Sequence, residues 1–262
     1  MKITNRDNLP EGLVRAIEND PYDAGDSDIT ASTLADPPLL QALKRAHWDE
    51  LEEDASERIW SLLGQAAHVI AERGAEGSEA NLLSEKRLFM QVDGWQVSGA
   101  MDHLDFAKGI LSDYKVTSAW TIVYGDRLAD WEKQLNVLAH LVDTQTDYWI
   151  SGLEVIAILR DWNARDMERS VKGDYPKSSV VVVPLKLWTP EKRQTYIEER
   201  VKLHKNARDL VARGHADLVI PCTDDERWAK KDKKAGAVTY VRCEKYCPVK
   251  KVCPVVAREA AI

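Results

Sequence analysis

The chain has no long apolar run and no cysteine in its first 221 residues. Its first residues are polar, and no stretch stays apolar for the length that a signal peptide or a membrane span requires. We therefore expect a cytoplasmic protein without a membrane segment. Disulfides are disfavoured in a reducing compartment, so clustered cysteines indicate metal ligands or a redox site.

A positive net charge is also lacking, because the formal charge is −7. Residues 227–253, here called the basic segment, contain nine basic and two acidic residues, a balance of +7 that leaves −14 on the remainder. The basic segment is either a set of phosphate contacts for DNA or a solvated loop. Its Trp228 and Tyr246 either stack on bases or pack beside a metal site.

The 262 residues, 44% of them hydrophobic and nine of them tryptophan, can form a substantial core. Helical and strand patterns alternate, which predicts an α/β fold with a central mixed β-sheet flanked by helices. We expect two regions, residues 1–215 and a cysteine-bearing segment, residues 216–262, that packs on them. Predicted helices cover 38–51, 56–73, 130–143 and 190–213, and predicted strands cover 81–91, 95–102, 110–116 and the buried runs 152–159 and 179–183.

Two carboxylates and a lysine lie on neighbouring predicted strands. Residues 95–102 alternate between apolar and polar, and a loop with a glycine separates them from the strand 110–116. Pairing of the two strands would bring Asp102 close to Asp113. Asp113 and Lys115 are two residues apart, so their side chains share one face of the pleat.

This set of groups is suited to metal-assisted phosphodiester hydrolysis. Hard cations such as Mg²⁺ or Mn²⁺ take oxygen ligands, and two aspartates supply the protein's share. The backbone carbonyl of Tyr114 is a further candidate ligand. Lys115 is a candidate to orient the attacking water and to offset phosphate charge.

Several motifs follow one another in a fixed order around these residues, namely Gly64-x-x-x-His68, Glu85, Gly99-x-x-Asp102 and Asp113-x-Lys115. In order and spacing they resemble the PD-(D/E)xK nuclease superfamily, in its RecB-like branch of phage exonucleases and CRISPR-associated spacer-processing nucleases. The resemblance implies a restriction-endonuclease-like core with His68, Asp102 and Asp113 as metal ligands. It further implies that Lys115 is catalytic and that Glu85 lies at the edge of the site.

The last helix of the family pattern is matched only in part. Gln134 falls where that helix contacts the substrate, but Leu138 stands four residues later, where a tyrosine is expected. His68 can also be interpreted from its own surroundings, because apolar residues recur at helical spacing through 56–73 and predict a helix in the core. A histidine there is either a hydrogen-bonded core residue or a metal ligand, and its position in the motif favours the ligand.

All four cysteines lie in the last fifth of the chain, at Cys222, Cys243, Cys247 and Cys253. Four thiolates can hold a tetrahedral Zn²⁺ or a 4Fe-4S cluster. The spacing differs from the paired Cys-x-x-Cys of a zinc ribbon. One distant cysteine and a close trio resemble the iron-sulfur site of RecB-like nucleases, although the distant cysteine of those proteins usually precedes the nuclease core. The resemblance implies a 4Fe-4S cluster, with Zn²⁺ as the alternative.

The sequence therefore predicts a Mg²⁺- or Mn²⁺-dependent DNA nuclease, in the first instance an exonuclease of recombination or repair. One alternative is a CRISPR-associated spacer-processing nuclease, which would use the same site. Another is a nucleic-acid-binding module with a zinc knuckle and no catalysis. DNA is the expected partner, together with a recombination or CRISPR adaptation protein, and the oligomeric state is left open.

Overall fold

A computed structural model of the chain describes residues 1–20, 24–75, 82–83, 86–170, 173–231 and 237–259. Within these ranges, no helix combines the length and the apolar character that crossing a membrane requires. The α-helices are α1 (Glu11–Glu18), α2 (Ala31–Ala35), α3 (Pro38–Ala46), α4 (Ile59–Ala75), α5 (Ala119–Tyr124), α6 (Leu128–Gln145), α7 (Ala164–Arg169), α8 (Pro190–Ala212) and α9 (Pro254–Glu259). The strands are β1 (Lys2–Thr4), β2 (Ile29–Thr30), β3 (Glu52–Asp54), β4 (Leu82–Leu83), β5 (Lys86–Val92), β6 (Trp95–Met101), β7 (His103–Asp105), β8 (Ile110–Thr117), β9 (Gly152–Leu159), β10 (Val180–Leu185), β11 (Ala229–Lys231) and β12 (Val238–Tyr240).

The chain divides into two compact units. The first consists of Met1–Pro21, Thr33–Arg58 and Glu198–Ile262, and it contains the parallel pair β1–β3 and the antiparallel pair β11–β12. The second consists of Tyr22–Ser32 and Ile59–Ile197 and contains the two larger sheets. The cysteine-bearing segment is thus part of the first unit. The boundary near residue 215 stays a prediction.

A mixed five-stranded sheet organises the second unit, with the order β10-β9-β8-β7-β4. Its central pair, β8 and β9, is parallel, and the other pairs are antiparallel. The predicted α/β class with a mixed sheet is therefore confirmed. One detail was wrong, because β10 is not buried: it is an edge strand with a neighbour on one side, and Val180 and Val182 are 46% and 54% exposed.

The chain changes sheets at Asp102. β6 lies between β2 and β5 in a separate three-stranded sheet, whereas β7, which begins one residue after Asp102, pairs with β8. The predicted direct pairing of residues 95–102 with 110–116 was therefore wrong for β6. The alternation of apolar and polar residues shifts by one position at the bend, where the polar residues Asp102 and His103 follow each other. The sequence therefore marks the bend, but it does not show which strands pair on either side of it.

Helix α6 packs against both sheets of this unit. Its buried residues include Leu135, Leu138 and Leu141, and the side chains of Leu138 and Leu141 lie where Gly99 of β6 has no Cβ. A Cβ at Gly99 would be 2.3 Å from Leu138 Cδ2. The absence of a side chain at Gly99 thus lets this helix approach the strand closely.

Helix α8 begins and ends where the sequence predicts. The hydroxyl of Thr189 accepts a hydrogen bond from the backbone N–H of Lys192 at 3.3 Å, and Pro190 is the first helical residue. Gly214 follows the helix with a φ of +79°, a conformation that favours glycine.

Helix α4 forms as predicted, but it does not lie in the core. Its apolar side is exposed, with Leu63, Val69 and Ile70 at 45%, 50% and 64%. Periodic apolar residues show that a helix has an apolar side, and they do not specify what covers it. The interpretation of His68 as a residue of the core is therefore wrong.

Candidate active site

Asp102 occupies the bend between β6 and β7 and accepts a hydrogen bond from the strand it faces. The register of β7 and β8 pairs His103 with Ser112, so its continuation by one residue sets Asp102 opposite Asp113. The backbone N–H of Tyr114 donates to Asp102 Oδ2 at 2.8 Å. This contact holds the Asp102 carboxylate beside the central strand.

Asp113 lies in the middle of the sheet and is buried. Its Oδ1 accepts a hydrogen bond from Gln134 Nε2 at 3.3 Å, and its Oδ2 is 2.6 Å from the ammonium of Lys115. Among the described residues, Oδ2 accepts no hydrogen bond of regular geometry. Burial raises the pKa of Asp113, the charge of Lys115 lowers it, and the nearby carboxylate of Asp102 raises it.

His68 faces this pair of carboxylates from α4. Its Nδ1 is 3.3 Å from Asp102 Oδ2, and its ring meets that of Tyr114 edge-on at 6.4 Å between centroids. The hydrogen bond to Asp102 raises the pKa of His68, burial lowers it, and the negative charge of Asp102 raises it further. His68 is therefore fixed against one carboxylate in a negatively charged setting.

The structure thus brings together five of the predicted site residues, namely His68, Asp102, Asp113, Lys115 and Gln134. Tyr114 lies among them, and the use of its carbonyl as a ligand stays a prediction. Glu85 lies outside the described residues. Within the described ranges, no group of three or more His, Cys, Asp or Glu side chains is arranged around a position for a metal ion.

Glu154 of β9, a residue that the sequence patterns did not single out, lies on the face of the sheet opposite to Asp113 and Lys115. The parallel register pairs it with Ser112, whose hydroxyl donates to Glu154 Oε1 at 2.8 Å. Burial is the main reason that the pKa of Tyr114 is raised, and the charges of Asp102 and Glu154 raise it further. Only the register of two strands far apart in the sequence shows this proximity.

The four cysteines all lie in the first unit, but among the described residues they are not arranged around a position for a metal ion. Burial raises the pKa of Cys222 to about 12, with further contributions from Glu226 and from the thiols of the other three cysteines. All four are free thiols and half-buried. The chain therefore brings Cys222 near the trio at Cys243, Cys247 and Cys253.

The surroundings of the cysteines are apolar on one side and basic on the other. Cys222, Cys247 and Cys253 pack against a buried cluster that includes Leu39, Leu43 and Val249. Arg227 Nε donates to Cys243 Sγ at 3.4 Å. The same guanidinium pairs with Glu259 at 2.5 Å and lies 3.4 Å from the ring centroid of Tyr240.

Two arginines of the basic segment are used inside the protein. Arg227 is buried in the contacts described above, and Arg242 pairs with Asp36 at 3.3 Å. Both are therefore excluded as free phosphate contacts. The rings of Trp228 and Tyr246 lie against each other, with their centroids 5.6 Å apart. Lys233 and Lys234 lie outside the described residues.

Comparisons with known proteins give structural similarity only. No protein-family model and no curated protein matches the sequence. The solved structure of SSO0001 is 16% identical with a TM-score of 0.56, and the match covers 93% of this chain and 95% of that chain. An alkaline exonuclease of Laribacter hongkongensis, LHK-Exo, is 13% identical with a TM-score of 0.41 and coverage of 72% and 93%. A phage-related exonuclease of Haemophilus somnus 129PT is 12% identical with a TM-score of 0.34 and coverage of 79% and 85%. The likeness to SSO0001 shows a common fold.

Proposed function

We propose that this chain is a divalent-metal-dependent DNA nuclease, and specifically an exonuclease that hydrolyses phosphodiester bonds. The observation that carries the proposal is the meeting of Asp102 and Asp113 on adjacent strands, with Lys115 against Asp113. Two carboxylates brought together at a buried position repel each other unless positive charge lies between or beside them. Lys115 supplies one such charge and a divalent cation would supply the rest.

The residues fit Mg²⁺ or Mn²⁺ by their donor chemistry. Asp102 and Asp113 offer carboxylate oxygens, and Asp113 Oδ2 is buried without a regular hydrogen bond among the described residues. We propose these two carboxylates, the Tyr114 carbonyl and His68 as the holders of the ion. When bound, such an ion polarises the phosphoryl oxygen and lowers the pKa of a water molecule.

Gln134 and Lys115 complete the proposed site: Gln134 orients a carboxylate, and Lys115 supplies a positive charge. Gln134 holds Asp113 through Oδ1, which fixes the orientation of that carboxylate. The side chain of Lys115 is 26% exposed, so its ammonium reaches both Asp113 and the entering phosphate. We propose that it orients the attacking water and offsets the charge that develops on the phosphate oxygens.

Digestion of end-labelled linear and circular DNA tests this proposal. We expect wild-type protein to degrade linear DNA with Mg²⁺ or Mn²⁺, to leave circular DNA intact, and to lose activity in EDTA. Asp113→Ala and Lys115→Ala should each lower the rate by about 10²-fold or more. Asp105→Asn is the matched control, because Asp105 is close in sequence but pairs with Lys108.

Folding of each variant should be checked by circular dichroism. If folded Asp113→Ala degraded DNA at the wild-type rate with Mn²⁺, the assignment of the site would be wrong. Cleavage of circular DNA would support the nuclease activity but would contradict the assignment as an exonuclease.

We also propose that the four cysteines hold a 4Fe-4S cluster. The proposal is supported by the position of all four cysteines in the first unit, by the packing of Cys222, Cys247 and Cys253 against apolar side chains, and by the N–H that Arg227 donates to Cys243. Purification under anaerobic conditions should give a brown protein with iron and acid-labile sulfide. A colourless protein with one zinc ion per chain would instead establish a zinc site.

A further inference from the structure

A cation–π pair connects the end of β9 to the beginning of α4. The guanidinium carbon of Arg160 lies 4.4 Å from the ring centroid of Trp60. Arg160 is exposed and Trp60 is 51% exposed. The nearby carboxylate of Asp161 accepts hydrogen bonds from the Ser118 hydroxyl and the Ala119 N–H. Burial raises the pKa of Asp161, but these hydrogen bonds and the charge of Arg160 lower it. The guanidinium therefore lies against an aromatic ring at an exposed position.

Two elements place this pair next to the candidate active site. Trp60 precedes His68 by eight residues on α4, which is about 12 Å along the helix axis. In the parallel register Leu159 pairs with Thr117, so Arg160 is level with Ser118. Ser118 is three residues beyond Lys115, which is about 10 Å along the strand. The backbone N–H of Arg160 also donates to the carbonyl of Thr117 at 2.9 Å.

The two side chains have the chemistry that binds a nucleotide. A planar guanidinium forms bidentate hydrogen bonds with phosphate, and an exposed indole stacks on a base. Stacking on a side chain requires a base whose face is free, which in DNA means an unpaired nucleotide or the terminal pair at a duplex end. A base pair inside a duplex presents only its edges.

We infer that Arg160 and Trp60 form a binding subsite for an unpaired nucleotide next to the cleaved phosphodiester bond. Arg160 binds the phosphate and Trp60 stacks on the base. The inference rests on the proposed nuclease function and adds to it the substrate class, a single-stranded stretch of DNA. It gives both residues a positioning role, separate from the carboxylates and Lys115.

Binding of a labelled single-stranded oligonucleotide in EDTA, followed by fluorescence anisotropy over a range of salt concentrations, tests the phosphate contact. Arg160→Ala should reduce the slope of log K against log salt by about 0.7, the value for one phosphate contact on a single strand. Lys108→Ala, which removes the same charge beyond the opposite end of β8, should leave the slope unchanged. Arg160→Lys should restore most of the slope.

The same assay tests the stacking contact. Trp60→Ala should weaken binding about 5- to 100-fold at constant salt slope, and Trp60→Phe should retain most of the affinity. Trp149→Ala is the matched control, because Trp149 is 58% exposed and precedes the amino end of β9. A closed circular duplex, which has neither unpaired nucleotides nor terminal pairs, should show no loss of binding with Trp60→Ala.

The inference is overturned if folded Arg160→Ala keeps the wild-type salt slope, or if Trp149→Ala weakens binding as much as Trp60→Ala. Equal losses on duplex and single strand for Trp60→Ala would overturn the single-strand assignment. Cleavage by wild-type protein and its loss in Lys115→Ala are measured separately. If cleavage were normal and the Arg160 and Trp60 variants bound the oligonucleotide like wild type, the subsite would be rejected. The proposed nuclease function would not be affected.

Discussion

Gly99 and Leu138 fit against each other because Gly99 has no side chain. A Cβ on residue 99 would lie 2.3 Å from Leu138 Cδ2 and 3.0 Å from Leu141 Cδ1. Both leucines are buried in α6, so neither can move away without disturbing the core. The helix that carries Gln134 is therefore seated directly on the strand that leads to Asp102.

We expect Gly99→Ala to lower the free energy of unfolding by about 1–3 kcal/mol, the usual cost of overpacking a core. Urea unfolding followed by circular dichroism measures this change. Gly64→Ala is the control, since a Cβ at Gly64 meets nothing within 4 Å and alanine favours the helix by up to about 1 kcal/mol. Equal stability of the Gly99→Ala and wild-type proteins would contradict the close fit.

Asp102 has two separable tasks, to accept the Tyr114 N–H and to carry negative charge. Asp102→Asn retains an oxygen acceptor, so we expect its stability to stay within about 1 kcal/mol of wild type while cleavage is lost. Asp102→Ala leaves the Tyr114 N–H without its acceptor and should cost a further 1–3 kcal/mol, roughly the price of an unsatisfied buried donor. Urea unfolding and the digestion assay together distinguish the two tasks. Full activity of Asp102→Asn would show that the charge is unnecessary.

His204 makes stability depend on pH in the first unit. Burial, assisted by the charge of Arg200, lowers the pKa of His204 from 6.5 to about 4, and its Nε2 is 3.3 Å from the carbonyl of Leu34. Between pH 6.5 and pH 4, His204 is protonated in the unfolded chain but stays neutral in the folded chain. The free energy of unfolding therefore falls as the pH decreases from 6.5 to 4. At about 1.36 kcal/mol per pKa unit, the loss amounts to about 3 kcal/mol.

The variant His204→Gln isolates this contribution, because glutamine keeps a donor for Leu34 but does not titrate. We expect the difference in unfolding free energy between wild type and variant to change by about 3 kcal/mol between pH 7 and pH 4. A difference that stayed constant over this range would show that His204 is not buried as a neutral residue.

Asn136 is buried and satisfies three hydrogen bonds at once. Its Nδ2 donates to the carbonyls of Glu132 and Lys186 at 2.8 and 2.9 Å, and its Oδ1 accepts from the Trp188 N–H at 2.8 Å. Asn136→Ala removes all three of these hydrogen bonds, so we expect a loss of about 2–4 kcal/mol in urea unfolding. Asn136→Asp keeps the acceptor and loses the donors, and it should be destabilised more at pH 7 than at pH 4.

Local patterns predicted those parts of the fold that depend on neighbouring residues. β9 covers Gly152–Leu159 as predicted, because a run of aliphatic residues interrupted only by Glu154 is bounded by the polar residues Ser151 and Arg160. α8 begins at Pro190 because Thr189 and Pro190 form a start signal that acts within one helical turn. The approach of Asp102 to Asp113 followed from the short hairpin that lies between them.

Local sequence patterns did not predict the features that depend on contacts between distant segments. The change of sheet at Asp102 arises because β6 pairs with β2 and β5. The shift in alternation at Asp102 and His103 is a local sign of it, but the pairing with β2 depends on a distant segment. The basic residues of the basic segment could be counted from the sequence, but the pairing of Arg227 with Glu259 depends on how the segment folds back. The position of Glu154 beside Ser112 likewise requires the register of two strands that α5 and α6 separate in the sequence.

The bend at Asp102 sets a limit on how this chain can tolerate insertions and deletions. Residues before the bend are in register with one sheet and residues after it with another. One residue gained or lost on either side would reverse the inward and outward alternation of that side and aim the carboxylate away from Tyr114. We therefore expect homologous chains to vary in length at the turn 106–109 and to keep a constant count of residues through 95–105.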